Sequence, residues 1–451
     1  MKAKAVIFLF IISCLYTLIN RKGWQEDPFV ADRSGYYAYL PAIFLHDDLE
    51  SFSYLKQVKG PQADDIPWFL FEQEQTGRTL NKYAVGTALF ELPFFAIAHL
   101  YCKLSAGGPC DGYAPPYRLL ILLSSIFWSA LGLEVLRRTL KHFASDAAVA
   151  ITLACIGLGT NLFYYSAWEQ GMSHPISFFL FASVLFLSWK FHTYQRPREI
   201  YLLGLVLGLV ILVRPTNIAI SVVPLLWNVT SLQSFRQKLG DLCQHIRHII
   251  PATLIAFLIF LIQMTYWKYA SGQWLYFSYQ GEYFEFLNPQ IQKGLFSFRK
   301  GWFIYTPIAF FGVTGIFFLY RHHRNVFLSV LVSLALIVYI VFSWNNWWYG
   351  GSFGARSMID YLAILSLPLA VLIHSLLNSR FPIIRLGLSM VLSALVLLNI
   401  FQSYQYSVHI IHYDRMTREY YLHVFGKTEL NREEAEKLLM NDKDYWAEFS
   451  K

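Results

Sequence analysis

Charge is scarce in this chain. Of 451 residues only 15% are Asp, Glu, Lys or Arg, while 55% are hydrophobic. A soluble domain carries about 25% charged residues, so a water-exposed globule is excluded as the class. Cysteine is scarce too, with five residues and no spacing of a metal or redox set. Cys102 and Cys110 could pair if both face an oxidising compartment. The net charge of +8 contains no basic tract, which argues against a nucleic-acid partner. No clear internal repeat is present, and no cofactor motif. The first apolar segment, Ala3 to Asn20, lacks a small-residue cleavage site. It is read as a retained helix, not a signal peptide.

What the chain has is apolar runs and aromatics. Runs of 17–20 residues recur, and aromatic residues make up 18%. Together they place the chain as an all-α polytopic membrane protein, with Trp and Tyr gathered at the interfaces. Eleven segments are long enough to span: 4–20, 117–136, 147–166, 173–190, 200–213, 217–229, 249–267, 302–320, 326–343, 358–377 and 382–401. Two stretches need arbitration. Residues 84–104 are apolar but hold Glu91, Pro93 and His99. Residues 200–229 break at Arg214-Pro215-Thr216-Asn217. Placing 84–104 in or on the outer leaflet and folding 200–229 as a hairpin leaves fifteen Lys and Arg in inner loops. Six then lie in outer loops after residue 150. Either alternative worsens that bias, so the positive-inside rule selects this arrangement.

The N-terminus is then cytoplasmic. Residues 1–401 form the transmembrane domain, with a first outer loop over 21–116. Residues 402–451 form a polar outer tail, helical in part. The irregular sequence falls almost entirely on the outer side, so a site is expected there.

The first outer loop opens with Asp32-Arg33-Ser34-Gly35-Tyr36-Tyr37, ahead of an expected interfacial helix over Tyr36–Leu45. Asp32 is read as a catalytic carboxylate, with Tyr36 and Tyr37 lining a cavity. The bland alternative is that Asp32 or Ser34 only caps the helix. The other acids of the loop, Asp47, Asp48, Glu50, Asp64, Asp65, Glu72 and Glu74, read as solvated surface. Glu26 and Asp27 are alternative bases. Further on, Lys82 in Asn81-Lys82-Tyr83 is a phosphate contact or a snorkelling anchor. Glu169 and His174 sit at a helix mouth, as cavity-lining groups or as part of an interfacial belt. Arg214 marks a break tolerated where backbone lines a cavity. Arg299 and Lys300 suit anionic headgroups. Arg356 offers a bidentate fork for phosphate, with Tyr349 near it in sequence and Asp360 four residues on, able to hold it on a helix face.

This order of motifs resembles the GT-C superfamily of integral-membrane glycosyltransferases. Asp32 with Tyr36 is similar to the first-loop acidic motif, though Arg33 stands where a Glu is common. Asn81-Lys82-Tyr83 and Leu212-Val213-Arg214-Pro215-Thr216 resemble elements of bacterial lipid-sugar-dependent members. Gly294–Pro307 and Trp348–Asp360 resemble two outer-loop patterns. The resemblance covers about residues 1–400. It implies a GT-C-like bundle in a bacterial inner membrane, an active site on the outer face, and a polyprenyl-phosphate-linked sugar donor. It also implies inversion at the anomeric carbon, with a lipid, glycan or protein as acceptor. Asp32 would be the base, and Arg356, Lys82, Arg299 and Arg214 the phosphate ligands. Oligosaccharyltransferases carry an acidic metal-binding pair in the second outer loop; only Glu169 and His174 stand there, so no metal is expected. Membrane lipids are the other expected partners, and no feature fixes an oligomeric state. The rival readings are an O-antigen ligase or polymerase, and a lipid or solute transporter.

Overall fold

The computed structural model describes residues 2–59, 67–105 and 108–449. Asp64 and Asp65 lie outside the described residues. The chain is a predominantly helical membrane bundle. Helix α1 (Lys2–Arg21) leads into the long first loop. There α2 (Asp32–Tyr37), α3 (Tyr39–Phe44) and α4 (Tyr54–Lys59) precede a hairpin of β1 (Leu70–Gln73) and β2 (Arg78–Asn81). The strands pair antiparallel, with Leu70 opposite Asn81. The expected single helix over Tyr36–Leu45 is two short ones, joined at Ala38. The hairpin was not anticipated.

The loop ends in α5 (Gly86–Leu104). After it come α6 (Pro115–Leu140), α7 (Asp146–Leu158), α8 (Asn161–Ala167), α9 (Ser173–Tyr194) and α10 (Pro197–Val213). A 3₁₀ turn (Pro215–Ser221) leads to α11 (Val222–Leu226), α12 (Leu232–Gln244) and α13 (Ile246–Ser271). Next are α14 (Ile291–Phe296), α15 (Trp302–Tyr305), α16 (Ile308–His322) and α17 (Arg324–Phe342). The chain closes with α18 (Leu362–Leu377), α19 (Pro382–Ser407), α20 (Arg418–Val424), α21 (Arg432–Glu436) and α22 (Asp442–Phe449). By length and apolarity seven of these helices can cross a membrane, or eight if the bent pair α7–α8 is one span.

Burial sorts the helices into layers. Leu362 to Ile373 of α18 are all buried, so this helix, apolar all round, runs through the middle. By contrast α13 and α19 expose Ile250, Leu254, Phe257, Met390 and Leu397. Such faces suit lipid. Helices α10 and α13 meet at Gly204 and Gly208. A Cβ on Gly204 would fall 2.2 Å from the Ala252 carbonyl oxygen, so the small-xxx-small spacing is what lets the backbones touch.

The two doubtful stretches are described by their contacts. Helix α5 is long and apolar enough to cross. Yet it packs on the first half of α6: Phe90 meets Trp128, Phe94 meets Phe127, and His99 bonds Tyr117 at 2.6 Å. The break after Val213 is a true reversal. Trp227 returns to stack near His192 and Phe143, the end of the bundle opposite Arg214. Proline at 215 cannot continue the α10 hydrogen-bond ladder, which sets where the helix stops. Cys102 and Cys110 are free thiols, so the conditional pairing is not made.

Candidate active site

The loop motifs converge on one cavity of about 680 Å³ at a single end of the bundle. The first-loop acid comes first. Asp32 begins α2 after Ala31, whose φ is 50°. Neither Asp32 nor Ser34 caps the helix; no side-chain cap bond is present there. Asp32 Oδ2 instead lies 2.8 Å from Arg356 Nη2, and its Oδ1 accepts from the Tyr83 hydroxyl at 2.7 Å. Gly35 makes this possible. A Cβ there would sit 2.2 Å from the Tyr83 ring, so only glycine lets Tyr83 reach the acid. Asn81 fixes the same corner by donating to the Gly35 carbonyl at 2.8 Å.

Burial alone would raise the Asp32 carboxyl. The Arg356 guanidinium, the Tyr83 hydroxyl and Lys82 outweigh it and hold the group below its ordinary range. Glu169, in the loop between α8 and α9, goes the other way. Burial lifts it against the pull of Arg33 and Arg356, and Asp32 adds to the lift. Arg33, where the sequence pattern expects a second acid, is the strongest charge opposing the rise of Glu169, and its side chain lies 3.5 Å from the position of a Cβ on Gly171.

A second network lies beside the first. Asp360 is fully buried. Its Oδ1 is 2.8 Å from His174 Nδ1. Its Oδ2 accepts from Asn217 at 3.0 Å and lies 3.4 Å from Arg214 Nη1. Tyr361 donates to Asn217 at 3.0 Å. The Arg356–Asp360 pair expected from their four-residue spacing does not form. The turn at Arg356–Met358 is 3₁₀ and not α-helical, and each partner finds a remote one.

The far side of the cavity is aromatic. Lys82 Nζ sits 2.5 Å from Glu282 and over the rings of Trp68 and Tyr279, at 5.0 and 4.7 Å. Glu282 also accepts from the Trp344 indole at 2.9 Å. Lys82 is thus buried and paired, not a snorkelling anchor.

Asp32, Tyr36, Lys82, Glu169, His174, Arg214, Tyr349 and Arg356 all line the cavity. Two expected members do not. Tyr37 points away, stacked on Phe29 at 3.9 Å with its hydroxyl on the Gly112 carbonyl. Arg299 is buried against the tail: its Nη2 is 3.1 Å from Asp414, its Nε donates to the Asp414 carbonyl at 3.2 Å, and it stacks on Trp348 at 3.7 Å. It is held structurally and has no route to a headgroup. Among the alternative bases, Asp27 pairs with Lys59 at 3.3 Å and lies outside the cavity lining, as does Glu26. Among the described residues no three His, Cys, Asp or Glu side chains converge as a metal site requires.

The tail contributes more than its polarity suggested. Tyr406 and Tyr413 line the cavity. Lys300 donates to the Ser352 and Tyr413 carbonyls, and burial pushes its ammonium down to about 7. Lys293 bonds Glu448 at 2.9 Å. The Arg299–Asp414 pair is the centre of this clasp. Removing one partner of a buried pair costs about 3–5 kcal/mol. Arg299→Ala or Asp414→Ala is therefore expected to lower the melting temperature in detergent sharply. The double variant should fall little further, since either change already breaks the pair.

A crystal structure of the Archaeoglobus fulgidus oligosaccharyltransferase, tethered by a disulfide to an acceptor peptide containing the NVT sequon, is similar over the whole chain. The TM-score is 0.50 at 11% sequence identity. The fold is GT-C-like. The match covers 100% of this chain and 59% of the oligosaccharyltransferase chain, so this chain spans less than two thirds of that enzyme. It includes the tail that the sequence resemblance left out. No protein-family model and no curated protein matches the sequence.

Proposed function

We propose that this GT-C-like protein transfers a sugar, with inversion, from a polyprenyl-phosphate donor to an acceptor hydroxyl on the outer face of a bacterial inner membrane. The observation that carries the reading is the Asp32–Arg356 pair, 2.8 Å apart, in the wall of the shared cavity. It sets a candidate proton acceptor beside a candidate phosphate ligand. Each is the other's partner in this structure. An arriving phosphodiester competes for the guanidinium, which suits planar oxyanions. Asp32 then loses the charge that depresses it and becomes a stronger base. The acceptor oxygen attacks the anomeric carbon, its proton passes to Asp32, and the anomeric C–O bond breaks toward phosphate. Preorganised cations stabilise the leaving phosphate.

Asp32, Glu169 and Glu282 face Lys82, Arg214 and Arg356 around the cavity. The test is a membrane assay with a panel of radiolabelled polyprenyl-phosphate sugars. Label is expected to move from one member into a new product only in membranes holding the protein. No transfer from any member would overturn the reading, and flux of lipid without product would replace it with transport.

A further inference from the structure

The Asp32–Arg356 pair leaves the neighbouring network without a task. His174 is buried at the start of α9, with Nδ1 on Asp360 at 2.8 Å. Asp360 has only acceptors to offer when ionised, so the bond fixes the Nδ1–H tautomer. Asn217 and Arg214 in turn hold Asp360. His174 Nε2 has no hydrogen-bond partner among the described residues, and His174 lines the cavity. An imidazole held by a carboxylate on one nitrogen and open on the other is the usual build of a proton-transferring histidine.

The groups facing His174 decide its role. Asp360 and Arg214 touch it, the Tyr165 ring meets its edge at 5.6 Å, and Arg356 and Asp32 act from across the cavity. Arg214 Nη1, 3.3 Å from Nδ1, opposes a charged ring. A phosphate drawn to Arg214 and Arg356 reverses that balance, since it adds negative charge on the open side.

We propose that His174, positioned by Asp360, takes up a proton when the phosphate of the donor binds and gives it to the leaving phosphate oxygen. This rests on the glycosyl-transfer reading above. The step balances. The anomeric C–O bond breaks with its electron pair on phosphate oxygen, and the Nε2 proton goes to that oxygen. The acceptor oxygen forms the new bond, and the acceptor proton goes to Asp32. The diester is a far weaker base than the monoester dianion that leaves, whose second proton has a pKa of about 6, so the demand for a proton at that oxygen rises as the C–O bond breaks. His174 is then a catalytic residue on the phosphate side, and Asp360 a positioning residue.

The test uses the full chain in nanodiscs and a farnesyl methyl phosphodiester, which carries one charge and does not itself titrate near neutrality. Calorimetry at pH 7.5 in buffers of different ionisation enthalpy reads the protons taken up on binding. The wild type is expected to take up close to one proton, and its affinity to fall about tenfold per pH unit at alkaline pH. His174→Gln is expected to bind without uptake and with a flat pH profile. Asp360→Asn should keep binding but lose most of the uptake, and Asp360→Glu should restore part of it. No uptake by the wild type overturns the proposal, and this arm depends on no variant folding. Uptake that persists in both His174→Gln and Asp360→Asn also overturns it. The two readings fail separately. Uptake without any sugar transfer from the donor panel spares the phosphate–proton coupling and removes the glycosyl reading; transfer without uptake does the reverse.

Discussion

Asp32→Asn is expected to cut sugar transfer by about 10²–10⁴-fold, the usual worth of a positioned base. It should do so in a protein that still folds and still binds donor. The replacement keeps the shape of the side chain and an oxygen for the Tyr83 hydroxyl to donate to. Arg356 loses its partner, but it lines the cavity and can take water or phosphate instead. The measurement is initial transfer rate in membranes, beside gel filtration and lipid co-purification of the variant. Rates within threefold of wild type would remove Asp32 as the base. A larger loss from Glu169→Gln than from Asp32→Asn would move that role to the second carboxylate of the cavity.

Arg356→Ala is expected to weaken donor binding by about 10–100-fold, since hydrogen bonds to charged groups contribute about 1.5–3 kcal/mol. Lysine should recover only part of this, because it lacks the planar fork. A second effect separates the catalytic arrangement from a plain anion site. Arg356 is the first of the charges that hold the Asp32 carboxyl down, and burial pushes it up. The ionised form is the base. In the wild type it persists to low pH, so activity should stay level as pH falls. Without Arg356 the carboxyl rises, so the acid limb of kcat/KM should move to higher pH. An unchanged donor affinity with an unchanged acid limb would reject the assignment.

The fold class was legible because membrane segments must be apolar for their whole length, and basic loops mark one side. The cavity was partly legible for a related reason. Asp32, Lys82, Glu169, His174, Arg214 and Arg356 each interrupt apolar sequence or follow directly on it, and a polar group there has few other uses. Their pairings were not legible. Arg356 was matched to Asp360 by helical spacing, but the local backbone is a 3₁₀ turn, and the partners come from distant segments. Arg299 was misjudged because its partner, Asp414, lies in a tail with no motif. Tyr37 was misjudged because neighbouring tyrosines on a six-residue helix face different ways, and nothing in their order says which meets the cavity. Tyr83 and Glu282 were missed as site members. The glycine before the paired tyrosines was a signal for the first, since it clears space for a ring.

The Asp32–Arg356 contact also sets a timetable for synthesis. Asp32 emerges from the ribosome more than three hundred residues before Arg356, and Tyr406, Tyr413 and Asp414 later still. Until then the acid has Tyr83 and Lys82 from its own loop but no guanidinium, and the cavity lacks a wall. The first loop must therefore wait half-assembled while the remaining helices are made. Damage to the last fifty residues would be felt at the acid near the start.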